Sequence, residues 1–231
     1  MLENASDYVI AVGGLGTAAF ALVDGSKAIW GGVSNSGFGQ IKRVIRKLFP
    51  EGIDEKDREN PLSLGGVIAT LRANWLNGTA LADQKAIAKT LMKLRLDAQN
   101  AVHLSKATGV DETTLKAVAE KIATGQALSQ PETDVFGRFD LILTTMLDEG
   151  YQRADQIYRN SAKAWSVVVA VVLAFFGGWA ISGDAFAAYF WSRDMGAAIL
   201  TGLIATPLAP VSKDLATGIS AAVRAVGLLR K

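Results

Sequence analysis

The 231-residue chain has no cysteine and a single histidine, His103. The first absence excludes disulfides, thiolate metal sites, iron–sulfur clusters and cysteine nucleophiles. The second excludes a histidine-based metal site within one chain. Charge is also scarce: Asp, Glu, Lys and Arg make up 20% of the residues, against about 25% in ordinary soluble domains. With half the residues hydrophobic and a mean hydropathy of +0.24, a wholly soluble globule is not expected. The formal net charge is +2, too small to point to nucleic-acid binding.

What charge there is lies in the middle. Residues 40–163 hold 18 of the 24 Lys and Arg and 16 of the 22 Asp and Glu. A polar middle between apolar ends reads as a membrane protein with one inserted soluble domain. Ala164–Gly183 is 20 residues without a charge, long enough as a helix to cross a hydrocarbon core of ~30 Å. Tyr8–Val23 is uncharged over 16 residues, and apolar character resumes to about residue 31 after Asp24 and Lys27. No Lys or Arg precedes it, so an uncleaved first span is expected rather than a signal peptide. Met195–Val211 is the third candidate and carries Pro207 and Pro210. It either spans or re-enters.

Lys and Arg set the expected orientation. Lys42, Arg43, Arg46 and Lys47 follow the first span, and Arg153, Arg159 and Lys163 precede the second. Lys213, Arg224, Arg230 and Lys231 follow the third, while the loop Asp184–Asp194 has only Arg193. Because positive loops stay in the cytoplasm, the N-terminus and residues 184–194 are expected outside, and residues 34–163 and the C-terminus inside. Phe186, Tyr189, Phe190 and Trp191 then fall at the outer interface, where amphipathic rings gather.

Each span carries small residues at every fourth position. The ladders are Gly13, Thr17, Ala21 and Gly25; Ala170, Ala174, Gly178 and Ser182; and Ala198, Gly202 and Thr206. Small faces let helices approach closely in lipid. Three ladders exceed what one bundle of three requires, so contacts between copies of the chain are expected as well. Asp24 and Lys27 lie three apart and can pair on one helix face. Two readings stand for them. They line a pore or ion path, or they mark a helix end at the cytoplasmic interface, where Lys27 snorkels.

In the middle segment, Gly31–Gly39 reads as a flexible linker; it lacks the GK[ST] ending of a phosphate loop. Gln40–Phe49 reads as a basic amphipathic helix, with Lys42, Arg43, Arg46 and Lys47 opposite its apolar face. Such a helix either lies on the anionic inner leaflet or packs on the domain with its charges solvated. Pro50–Pro61 is acidic and irregular, without the spacing of a calcium loop. Helices are expected over Leu62–Leu76, Ala80–Thr108 and Glu112–Thr124, with stops at Asn77-Gly78 and Gly125 and a cap at Asp111. Lys85, Lys89 and Lys93 form a solvated stripe that could meet an acidic partner, and His103 reads as structural or as lying at a helix C-terminus.

Pro131 opens a helix expected to continue through Ser182, a stalk coupling the domain to the membrane. Val135, Phe139, Ile142, Met146 and Leu147 form its apolar stripe. Residues 212–231 are expected to form a C-terminal amphipathic helix along Val211, Leu215, Ile219, Ala222 and Val226.

The fold class expected is therefore all-α: an integral membrane protein with three transmembrane helices and an inserted helical cytoplasmic domain. No catalytic motif, cofactor motif or metal spacing is present, so an enzyme is not expected. Two functions fit. One is a subunit of a homo-oligomeric membrane assembly, a candidate pore, whose cytoplasmic domain serves assembly or gating. The other is a membrane anchor or adaptor that docks a soluble protein partner through that domain.

Overall fold

A computed structural model describes residues 2–29 and 31–229, with side chains over 7–27, 29 and 31–211. All regular secondary structure among these residues is helical. Three helices are long and apolar enough to cross a membrane: Asp7–Gly25, part of Gln130–Ser182, and Arg193–Val211. The chain folds as two compact units, Ser34–Tyr158 and the combination of Met1–Val33 with Arg159–Lys231.

The first unit is built from α2 (Asn35–Lys47), α3 (Leu64–Leu76), α4 (Leu81–Leu94), α5 (Ala101–Thr108), α6 (Glu112–Thr124) and the first part of α7 (Gln130–Ser182). Local chemistry sets several of its boundaries. Ser63 caps α3 by accepting the Gly66 N–H, and Asp111 caps α6 by accepting the Thr114 N–H at 2.8 Å. Gly109 and Gly125 end α5 and α6 with φ of 68°, a left-handed conformation that glycine adopts without a Cβ clash.

The apolar faces of all these helices meet in one core. Ile41 and Ile45 of α2, Val67 and Leu71 of α3, Met92 of α4 and Leu104 of α5 are all buried. Leu115 and Val118 of α6 join them, as do Phe139, Leu143, Leu147, Tyr151 and Ala154 of α7. This stretch of α7, expected as the apolar-striped base of a stalk, forms a wall of the core. Its buried seam passes through Leu143 and Tyr151, residues outside the predicted stripe.

Three further expectations are corrected here. The Gly31–Gly39 segment is helical from Asn35 onward, after a 3₁₀ turn at Gly32–Ser34. Gly37 serves packing there, since a Cβ would overlap the Ala154 carbonyl and press on Trp75. Trp75 Nε1 donates to the Ser34 carbonyl at 2.9 Å and closes the same corner. The single helix expected over Ala80–Thr108 is two, broken at residues 95–100. Asp97 Oδ1 accepts the Gln99 and Asn100 N–H groups at 2.8 and 2.7 Å, an Asx turn that competes with the helix ladder. Third, the lysine stripe of α4 is paired. Lys85 meets Asp148 at 2.6 Å, and Lys89 and Lys93 meet Asp140 at 2.6 and 2.5 Å.

The second unit holds α1 (Leu2–Gly25), the remainder of α7, the short α8 (Phe186–Phe190) and α9 (Arg193–Leu229). α9 runs unbroken through Pro207 and Pro210 to Leu229, so residues 212–229 continue this helix rather than form a separate one. Neighbouring helices can satisfy the backbone groups that proline frees. The side chains of the expected C-terminal amphipathic face, beyond Val211, lie outside the described residues, as does Trp30.

Close approach governs this unit. A Cβ on Gly16 of α1 would strike the Ala205 carbonyl of α9, and one on Gly202 would strike the Val171 backbone of α7. A Cβ on Gly178 would meet the Tyr189 hydroxyl and, at 3.3 Å, Ala198. Rising numbers on α7 therefore meet falling numbers on α9, so the two are antiparallel. Tyr8 lies 3.3 Å from Thr201 through their hydroxyls, and Gly16 meets Ala205, so α1 runs parallel to α9. Small residues face inward here, whereas Leu22, Trp165, Phe176, Ile181, Leu200 and Trp191 are exposed. Ile181 and Trp191 expose 88% and 85% of their surface, the reverse of a water-soluble helix bundle.

Candidate functional site

Asp24 and Lys27 form an ion pair at 2.5 Å, with both side chains partly exposed. α1 ends at Gly25 and passes into a 3₁₀ turn, Ser26–Ala28. The pair therefore straddles the end of α1. Lys27 lies where the helix dipole presents its negative end, which favours a cation there.

The three small-residue ladders have different fates. On α7, Ala170 is fully buried and Gly178 abuts Tyr189. Ala162 and Ser166, both buried, extend this ladder backward by two turns. On α9, Gly202 packs on α7, whereas Ala205, one position before Thr206, receives Gly16. Those two ladders face each other inside the chain. On α1 the packed face runs through Val12, Gly16, Ala19 and Val23, while Thr17, Ala21 and Gly25 are exposed. A Cβ on Gly25 would meet nothing within 4 Å.

The rings expected at an outer interface are partly interior. Tyr189 is fully buried, and its ring centroid lies 5.5 Å from that of Phe175. Phe186 and Phe190 also meet Phe175 edge-on, at 6.0 and 6.4 Å. Trp191 alone of the four is almost wholly exposed.

The basic helix α2 spends its apolar face in the core, with Phe38, Ile41 and Ile45 buried, as are Leu48 and Phe49 just beyond its end. The apolar face of this helix is therefore packed on the domain. Its charges divide. Arg46 and Lys42 both pair with Glu55, Lys42 at 2.6 Å. Hydrogen bonds from Arg46 and then Lys42 hold the Glu55 carboxyl down to about 2, and the same bond raises Arg46. Among the described residues, Arg43 reaches the Gln40 amide oxygen alone, at 3.4 Å.

Beside this face opens a cleft of about 1020 Å³, lined by Arg43, Arg46, Lys47, Phe49, Glu51, His103 and Lys106 among others. Arg43, Arg46 and Lys47 lie on α2 at the i, i+3, i+4 spacing that brings side chains together. His103 and Lys106 share the same relation on α5. Lys47 and Lys106 are exposed, and neither pairs with a carboxylate among the described residues. Phe49, at the edge, is buried beneath the Arg95 guanidinium, whose carbon lies 3.4 Å from the ring centroid. Burial lowers the Arg95 pKa, and its N–H groups reach the Leu48 carbonyl and Asn100 Oδ1 at 3.4 and 3.1 Å. The basic face of α2 was legible in sequence, whereas the meeting of His103 and Lys106 with it was not. The only sequence signal for the latter is their own i, i+3 spacing.

Among the described residues, no three His, Cys, Asp or Glu side chains stand close enough to hold a metal ion. No protein-family model matches the chain, and no curated protein or solved structure matches it either.

Proposed function

We propose that the chain is an integral membrane anchor that holds a helical domain, residues 34–163, on the cytoplasmic side for docking a soluble partner. The observation that carries the membrane part of this reading is the inverted packing of α1, α7 and α9. Small residues fill the contacts between them, and large apolar side chains cover the outside. That distribution suits lipid, where helix association depends on close packing rather than on apolar burial. The alternating directions of α1, α7 and α9 also suit three successive crossings. With the Lys and Arg bias, they support an N-terminus and residues 184–194 outside, and a C-terminus inside.

The absence of native cysteine makes the test direct. A single cysteine at Ala188 is expected to react with a membrane-impermeant maleimide in intact cells, and one at Thr113 only after lysis. Labelling of the Thr113 site in intact cells would falsify this orientation.

A second reading is a homo-oligomeric assembly, a candidate pore. One observation favours it: Thr17, Ala21 and Gly25 of the first ladder remain uncovered within the chain. If they join copies, Ala21→Leu reduces the mass of the particle in neutral detergent, since a bulky side chain blocks close approach. An unchanged mass leaves the anchor reading in place. The ion pair at the end of α1, Asp24 with Lys27, is the feature a pore reading would test next, by conductance of Asp24→Asn.

A further inference from the structure

We propose that the basic cleft between α2 and α5 binds a compact, multiply phosphorylated anion. This does not depend on which side of a membrane the domain occupies. Among the described residues, Arg43, Lys47 and Lys106 line the cleft without a carboxylate partner, and Arg46 shares its charge with Glu55. One lining carboxylate, Glu51, opposes them. The C-terminal ends of α2 and α5 contribute only about −0.5 charge each, so the cleft stays cationic. Such charges held together repel one another and are relieved by an anion. The Arg43 fork suits two phosphate oxygens at once, while lysines act as point charges.

Size and surroundings narrow the class. At about 1020 Å³ the cleft exceeds the needs of a single inorganic ion and falls at the upper end of ligand sites. Phe49 is buried and its ring is covered by Arg95, so it offers no open platform on which a nucleobase could stack. An extended polyanion such as a nucleic acid is disfavoured by the acidic segment Glu51–Glu59, which continues from the cleft edge with five acids in nine residues. What remains is a small group bearing two or more phosphates. It could come from a soluble phosphate ester or from the headgroup of a phosphorylated lipid.

The experiment titrates the full chain in neutral detergent with sodium tripolyphosphate and, separately, with dioctanoyl phosphatidylinositol bisphosphate. Calorimetry is expected to find saturable binding of one equivalent. Tripolyphosphate bound alone identifies a soluble ligand, and a lipid bound at least tenfold tighter identifies a headgroup; both outcomes support the site. Removing two of the cationic contacts, Lys47→Gln with Lys106→Gln, is expected to weaken binding by about tenfold. Removing the opposing charge, Glu51→Gln, is expected to tighten it about threefold, a gain that misfolding cannot produce. Lys116→Gln with Arg138→Gln deletes the same net charge elsewhere and leaves affinity unchanged. Raising ionic strength from about 0.01 M to about 1 M shortens the Debye length from ~30 to ~3 Å and weakens the binding. Absence of saturable heat with both titrants, or an equal loss in the Lys116/Arg138 variant, overturns the proposal.

Discussion

Glu55 joins the acidic segment to α2 by accepting from both Lys42 and Arg46. Its carboxyl is drawn down to about 2, below the ~4.3 of a free glutamate. Glu132 is held at about 2 by Lys121 and by the Ser129 N–H and hydroxyl. A carboxylate depressed in the folded state contributes stability above its unfolded pKa and loses it as pH falls toward the folded value. The contribution is therefore complete above about pH 5 and vanishes between about pH 4.3 and 2. Glu55→Gln is expected to melt below the native chain near pH 6 and to converge with it toward pH 2. Thermal melts followed by circular dichroism across that range check this, and a constant gap would remove Glu55 from the explanation. Asp140 is pulled both ways. Burial raises its pKa, but hydrogen bonds from Lys89 and Lys93 outweigh that and lower it overall.

At the level of elements, glycine spacing and glycine contact prove to be separate matters. Gly16 and Gly202 face backbone atoms of a neighbouring helix, while Gly14 and Gly25 face open space. Gly202→Ala and Gly16→Ala are each expected to destabilise the bundle by about 1–3 kcal/mol, the usual cost of overpacking. Gly14→Ala is expected to be neutral or stabilising, since alanine is the better helix former. Unfolding in detergent checks the contrast, and equal effects at Gly14 and Gly202 would contradict this packing. Gly16 lay outside the predicted ladder, because four-residue spacing alone does not say which strip of a helix meets its neighbour.

Other elements were more legible. Asn77-Gly78, Asp111 and Gly125 marked the ends of α3 and α6 through local chemistry. The break after Leu94 carries no glycine or proline; Asp97 creates it by hydrogen bonds that periodicity does not reveal. The lysine stripe of α4 looked solvated because its acids, Asp140 and Asp148, lie far away in sequence, Lys89 and Asp140 being 51 positions apart. The cleft was half visible for the same reason. Arg43, Arg46 and Lys47 are neighbours in sequence, but only the tertiary fold adds His103 and Lys106.

For the whole molecule, the exposed apolar surface of α7 between Trp165 and Ile181 carries the membrane reading. Val172, in the middle of the uncharged run, is exposed. Placed in lipid, Val172→Arg is expected to cost about 2.5–3.5 kcal/mol on insertion scales. The native chain should remain in the membrane pellet after alkaline carbonate, while this variant shifts toward the extracted fraction. Retention of both in equal measure would mean that this face of α7 does not meet lipid.

The pairing of α1 with α9 has a consequence in time. Tyr8 and Thr201 are 193 positions apart, so at a synthesis rate of about 5–20 residues per second roughly 10–40 s separate their emergence. Throughout that interval the groove around Gly16 has no helix to fill it. On the membrane reading, the first helix holds its place by its own apolar character while residues 34–158 are made. The contact of Gly16 with the Ala205 carbonyl is thus among the last formed, and a chain stalled before Ala205 would leave the Gly16 face bare.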